Sequence, residues 1–331
     1  MPSEKSDNLF LHRRHFLKLS LGTGLGLGGA FSLWQMWRDS SVSRSKTIAP
    51  VSPPPTSAPP NPMTFLRNFD YGTIKQEGGK TVREFRVEAR TSPLQLNKAV
   101  SYITWNLNGQ VPGPTFRATE GDRIRVIFYN RAGHSHSLHF HGIHTADADG
   151  VKPVRNNSVF IYEFDAKPYG VHLYHCHIAP VTRHITKGLY GMLIIDPPQP
   201  RPPADEMVMI MGGYDINEDR KNELYAFNGL PDYYMNQPIA IEKERLIRLY
   251  LLNMIEYDPV ATFHIHANFF QVYPTGMTLT PSHTSDVITM GTAERHILEF
   301  AYPYTGKYMF HPHQDDIAES GCMGLFDVRE T

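Results

Sequence analysis

HLYHCHIAPVTRH, His172 to His184, contains one of the chain's two cysteines and sets it between two histidines. Residues two apart on a strand point to the same face, with Cα atoms about 6–7 Å apart. His175 and His177 therefore share one face, and Cys176 takes the other. One short strand can then serve two sites: imidazoles on one side, and on the other a thiolate with His184 eight residues further on.

The pattern recurs. H-x-H pairs occur at 134/136, 139/141, 175/177, 264/266 and 311/313. The 17 histidines in 331 residues, placed at random, give roughly one such pair. Paired imidazoles on one strand face can bind one metal or two adjacent ones, and imidazole suits copper, zinc, iron and nickel. A lone histidine is more often an ordinary surface or core residue. Four pairs at equivalent positions of two repeats point to metal.

The repeat is visible in order and spacing. NGQVPGPTFRATEGDRIRVIFYN (108–130) leads to HSLHFHG (136–142). FNGLPDYYMNQPIAIEKERLIRLYLLN (227–253) leads to ATFHIHA (261–267). Each half closes on an H-x-H, a glycine and an apolar strand: YHCH with GLYGMLIID, and FHPH with GCMGLFDV. TVREFRVEAR and RIRVIFYN alternate apolar and polar residues with period two, and no long stretch has a strong helical period. With 25 Gly and 26 Pro, this predicts an all-β chain of two similar domains, 66–198 and 199–331. The stretch DPPQPRPPAD (196–205) joins them.

Ahead of these domains, residues 1–38 read as a twin-arginine export signal. Arg13 and Arg14 precede Phe16, Leu17, Lys18 and the Gly-rich LSLGTGLGLGGAFSLW. Gly28-Gly29-Ala30 is the best small-residue cleavage site; left uncut, the segment would tether the chain to a membrane. The expected location is the periplasm or another extracytoplasmic space of a bacterium. Residues 39–65, including APVSPPPTSAPPNP (49–62), read as a disordered Pro-rich tether. Charge is balanced, 32 Lys+Arg against 33 Asp+Glu, so no basic field points to nucleic acid. Two distant cysteines make no disulfide framework, and Cys322 reads as a buried free thiol. The Gly-rich run belongs to the export segment and is not a nucleotide loop.

A trigonal His₂Cys site with a weak axial position is the blue-copper arrangement. Cys176, His184 and His136 fit it. His134 shares the parity of His136 and is an alternative third ligand.

With these residues in view, the chain resembles the multicopper oxidases. H-x-H-G (139–142), H-C-H (175–177) and the pairs His264/His266 and His311/His313 match that family's four copper motifs, across roughly residues 81–328. The resemblance implies cupredoxin-like Greek-key domains and four coppers per chain. The type 1 copper would be held by His136, Cys176 and His184. The type 2 copper would fall to His139 and His264. The two type 3 coppers would fall to His141, His175, His177, His266, His311 and His313. It further implies electron entry and transfer through Cys176, a proton-donating role for Asp149 with Asp147 as the alternative, and four-electron reduction of dioxygen to water.

The departures are specific. The usual three-domain member carries its H-C-H in the last domain. Here Pro312 takes the thiolate position and Ile317 that of the later histidine, so the type 1 site falls in the first domain. That pattern resembles two-domain members, which implies a homotrimer with the cluster at subunit interfaces. HITKGLYG also resembles a segment of the copper nitrite reductases, with Leu189 where they carry an axial Met. Met192 has the wrong spacing for that role. Asp315, Asp316 and Glu319, after the last pair, are either aids to proton movement or solvated charges.

A copper nitrite reductase is the nearest alternative, and a non-catalytic exported copper-binding protein is the alternative of another class. A zinc hydrolase needs far fewer ligands than this array offers. The expected substrates are dioxygen and a small reductant, phenol-like or a metal ion; the thirteen methionines form no Met-rich segment. His134, His144 and His172 flank the sites, either as ordinary surface histidines or as lining for substrate access.

Overall fold

A computed structural model describes residues 61–330. The export segment and the Pro-rich stretch up to Pro60 lie outside the described residues. Residues 61–65, expected to belong to the tether, do not. Asn61 caps a helical turn, Pro62–Phe65, by accepting hydrogen bonds from the Met63 and Thr64 amides. Phe65 and Leu66 then bury themselves in two different cores, because apolar side chains beside a packed domain lose water by docking.

Strands dominate, as the period-two alternation predicts. Those up to Asp196 form two sheets and those from Asp205 form two more. The halves repeat one grammar. Lys80–Gln95 runs parallel to Arg123–Asn130, which pairs antiparallel with Ser158–Asp165. Asp205–Tyr214 likewise runs parallel to Ile247–Met254, which pairs antiparallel with Arg295–Phe300.

Three cores hold this arrangement. One lies within each half, and a third draws on both: Val171, Leu173, Met192 and Ile194 from the first, Val208, Ile210, Tyr250, Leu252 and Ile297 from the second. Strands flanking the shared core are therefore buried on both faces. Ile247–Met254 is buried at every position. It sends Ile247, Leu249 and Leu251 into the second half's own core, and Tyr250, Leu252 and Met254 into the shared one. This is why IRLYLLN reads as a continuous apolar run rather than an alternating one.

A buried ion network closes one end of the shared core. Arg117 donates to both oxygens of Asp196 and both oxygens of Glu206, and its guanidinium lies 4.8 Å from the centre of the Phe69 ring. Glu206 also accepts from Arg248 and Tyr250. Removing one partner strands the others in a poorly hydrated place, at a cost of 3–5 kcal/mol for a fully buried pair. Asp196 and Glu206 keep some solvent, so Arg117→Ala is expected to cost about 2–3 kcal/mol. Thermal unfolding should register this as a Tm lowered by roughly 4–10 °C.

Candidate metal centre

Gly170–His175 is the strand that carries the quoted motif. Tyr174 and Cys176 face the first half's core, whereas Val171 and Leu173 face the shared core. The partner strand obeys the same rule: Leu189, Leu193 and Ile195 lie on the Cys176 side, and Tyr190, Met192 and Ile194 on the other. The Cys176 amide donates to the Leu189 carbonyl at 3.0 Å. Met192 is thus on the wrong face for Cys176, and Leu189 is on the right one.

His136 and His184 meet at Cys176. The two Nδ1 atoms are 3.1 Å apart and lie 3.7 and 3.1 Å from Sγ. Exposure is 0 % for His136 and Cys176 and 4 % for His184. Burial lowers the His136 pKa to about 3 and that of His184 to about 4, each helped by a neighbouring imidazole, and it raises the thiol. Both rings are therefore neutral at pH 7. His136 Nε2 is buried with no hydrogen-bond partner, so its lone site contact is through Nδ1. Three converging donors, two nitrogen and one sulfur, suit a single soft cation. His134 stands outside this triangle. It is exposed, and its ring centre is 4.4 Å from that of His136.

The paired histidines form two like-built clusters. In the first, His139, His141 and His175 bring ligand atoms within 4.8 Å of one another; in the second, His264, His266 and His311 do so. The correspondence extends to single bonds. His139 Nδ1–H donates to the Asp149 carbonyl and His264 Nδ1–H to the Asp286 carbonyl, both at 2.7 Å. His175 and His311 donate from Nδ1 to the next residue's carbonyl, Cys176 at 2.9 Å and Pro312 at 2.6 Å. A carbonyl only accepts, so each Nδ1 keeps the proton and each Nε2 offers a lone pair. Nε2 atoms pair at 2.8 Å for His141 and His175 and at 3.0 Å for His266 and His311. His177 and His313 stand beside the first histidine of each cluster, ring centres 4.8 and 4.7 Å away. Burial holds His141 at about 3 and His175 at about 4, and it lowers His266 as well.

Asp149 is positioned by its neighbour. Gly150 has φ +83°, and a Cβ there would strike the Leu138 carbonyl. This close approach brings Asp149 Oδ1 to 3.0 Å from His139 Nδ1 and 3.4 Å from His144 Nε2. Asp147 instead accepts from the Thr145 hydroxyl on the exposed side. His172 is fully buried between the His141 and Pro168 carbonyls. Asp315, Asp316 and Glu319 are exposed on the short helix Asp315–Glu319. Among the described residues, none of the three makes an ion pair with a histidine.

The second half lacks the His₂Cys triangle for a visible reason. The helix Asp315–Glu319 follows its last H-x-H as Val181–Thr186 follows the first half's. The Cys322 amide donates to the Ile317 carbonyl as the Leu189 amide donates to that of His184. Ala261, Pro312, Ile317 and Cys322 thus occupy the places of His136, Cys176, His184 and Leu189, and all are buried. Pro312 brings neither a thiol nor an N–H. Cys322, expected as a buried free thiol, is one. Sequence reading missed Asp286, whose contribution is a backbone carbonyl, and Trp105, which lies against the His136 and His184 rings. Neither carries a motif.

Two family models, both described as multicopper oxidase, match residues 88–200 and 201–331. A solved multicopper oxidase superposes with a TM-score of 0.81 at 45 % identity, covering 82 % of this chain and 98 % of that one. A copper nitrite reductase of Nitrosomonas europaea superposes with a TM-score of 0.69 at 25 % identity, covering 75 % and 94 %. A copper-containing nitrite reductase of Neisseria meningitidis is 26 % identical over 73 % of this chain and 68 % of its own.

Because His136 and His184 are already neutral and the thiol is held protonated, one cation bound at this triangle should displace about one proton. Its affinity should rise roughly tenfold per pH unit between pH 6 and 8. Co(II) titration of the metal-free protein, followed by its thiolate charge-transfer absorption, checks this. A flat pH profile would mean that Cys176 is not a ligand.

Proposed function

Since the chain belongs to the multicopper oxidase family, and so is a copper-dependent oxidoreductase, we propose that it oxidises a small reductant at a type 1 site and reduces dioxygen at a three-copper cluster. His136, Cys176 and His184 would hold the type 1 copper, with the apolar Leu189 on the Cys176 side of the partner strand. His139 and His264 would hold the type 2 copper. His141, His175, His177, His266, His311 and His313 would hold the type 3 pair. Bound copper supplies one-electron transfer at the first site and the four-electron reduction of dioxygen to water at the second.

The chain's own residues prepare these sites. Cys176 is covalently continuous with His175 and His177, which links the buried triangle to the histidine cluster through one peptide on either side. Backbone carbonyls fix the tautomers of His139, His175, His264 and His311, so each Nε2 needs no rearrangement to bind. Asp149 is the proton donor of this reading, held against His139 and His144. A leucine rather than a thioether beside Cys176 favours a high reduction potential.

The observation that carries the reading is the matched pair of half-clusters. Each half supplies one set of converging histidines, and among the described residues no ligand-competent group mixes the two sets. A head-to-tail contact that brings one copy's first set to another copy's second would complete a cluster, and such a contact closes into a ring. The second set is suited to this. His266 and His313 are exposed, and Phe269, three residues after His266, is 63 % exposed. We expect a homotrimer, exported by the twin-arginine route to the periplasm and either cleaved or tethered there.

A nitrite reductase is the second reading, favoured by the similarity to those enzymes over both domains. A single type 2 copper, however, uses few of these histidines and would leave the matched geometry of the rest without a purpose. Copper analysis separates the two: four per chain with dioxygen uptake supports the oxidase, and two per chain with nitrite reduction overturns it. Cys176→Ser should lose the blue absorption and at least 100-fold of the oxidase rate while retaining about three coppers. His266→Ala should keep the blue absorption and lose cluster copper.

A further inference from the structure

We infer that Trp105 is the surface on which the reducing substrate meets the type 1 site, and that this surface takes neutral or anionic aromatic donors rather than hydrated metal cations. The inference rests on the oxidase reading above and deepens it.

His136 and His184 are 0 and 4 % exposed, so a substrate in solution has almost no ligand edge to touch. Trp105 lies against both rings. Its ring centre is 4.8 Å from that of His184 and 5.5 Å from that of His136. The indole is only partly buried, and it is tied in place by its own amide, which donates to the Lys187 carbonyl just beyond His184. Beside it stand the exposed ring of His134, 4.2 Å away between centres and 4.4 Å from that of His136, and the Arg183 guanidinium, 5.4 Å from the indole centre. Trp105 thus touches both ligand rings and also the exposed His134 and Arg183.

The chemistry of this surface is aromatic and cationic. An indole, an imidazole and a guanidinium all stack on flat π systems. Arg183 and Lys187 share one carboxylate, Glu218, at 2.8 and 3.0 Å. Glu218 is thus engaged by two cations, and the charged group set over the indole is the Arg183 guanidinium. A hydrated cation is repelled here, and a phenol or phenolate is not. Copper held by His136, Cys176 and His184 would accept one electron from the donor, passing from Cu(II) to Cu(I). A phenol would lose its proton to bulk water and leave as a phenoxyl radical, and four such electrons with four protons from solvent would reduce one dioxygen to two waters.

Two measurements test this. In the first, 2,6-dimethoxyphenol is titrated into the metal-free full-length protein, and the indole N–H resonances are followed, that of Trp105 being identified by its loss in Trp105→Phe. A saturable shift of the Trp105 signal is expected; no shift there overturns the proposal. In the second, anaerobic reduction of the blue absorption in the copper-loaded protein is timed with 2,6-dimethoxyphenol and with aqueous Fe(II). Trp105→Leu should lower the phenol-to-Fe(II) rate ratio at least tenfold, with Trp105→Phe recovering part of it, and Arg183→Glu should raise the Fe(II) rate several-fold. An unchanged ratio in Trp105→Leu, or a wild-type preference for Fe(II), overturns it. Failure of the oxidase reading has a different signature. The copper content would be two per chain, while phenol binding at Trp105 in the metal-free protein would be unaffected.

Discussion

The two-residue alternation of Gly170–His175 and the residues that follow it is the constraint on which the rest depends. The strand runs between two apolar cores and must satisfy both. Tyr174 and Cys176 point into the first half's core, and Val171 and Leu173 into the core shared with the second half. Once those faces are fixed by burial, His175 cannot share a face with Cys176. A register slip of one residue would expose the thiol and bury the imidazoles among leucines. The separation of a buried His₂Cys triangle from an open histidine cluster is therefore a consequence of sheet packing.

Duplication supplies the second layer. Both halves use the same parallel and antiparallel pairings, and both fix their histidines with equivalent backbone carbonyls, from Asp149 and Asp286 and from Cys176 and Pro312. The histidine scaffold is thus largely a property of the backbone, which tolerates side-chain change. That tolerance explains how the second half keeps its histidine cluster while apolar residues fill the place that the triangle takes in the first half. Ala261, Ile317 and Cys322 pack there as core, and burying them gains what burying two unliganded imidazoles would lose.

Much of this was legible in the sequence because it depends on parity and order. The H-x-H pairs, the lone cysteine between histidines, the repeat and the loss marked by Pro312 and Ile317 are all one-dimensional patterns. So is the position of Leu189 relative to His184. The Arg117–Glu206–Arg248 network was not legible, since its members are scattered and each looks like an ordinary strand charge. Asp286 was hidden for another reason: it acts through a carbonyl, and every residue has one. The helical turn Pro62–Phe65 lay inside a Pro-rich stretch whose composition reads as a tether.

The sequence by itself determined the class of fold, the donor types and which histidines share a strand face, since alternation along a strand follows from the backbone alone. Only the tertiary structure decided between His136 and His134 as the neighbour of Cys176, because both have the right parity and the choice depends on which ring the sheet buries. It also decided that Trp105 lies against both histidines of the triangle and that, among the described residues, the two histidine clusters remain separate within one chain. Those facts concern strands brought together from distant parts of the sequence by burial of three cores, and no local pattern encodes which side chains such packing leaves in contact.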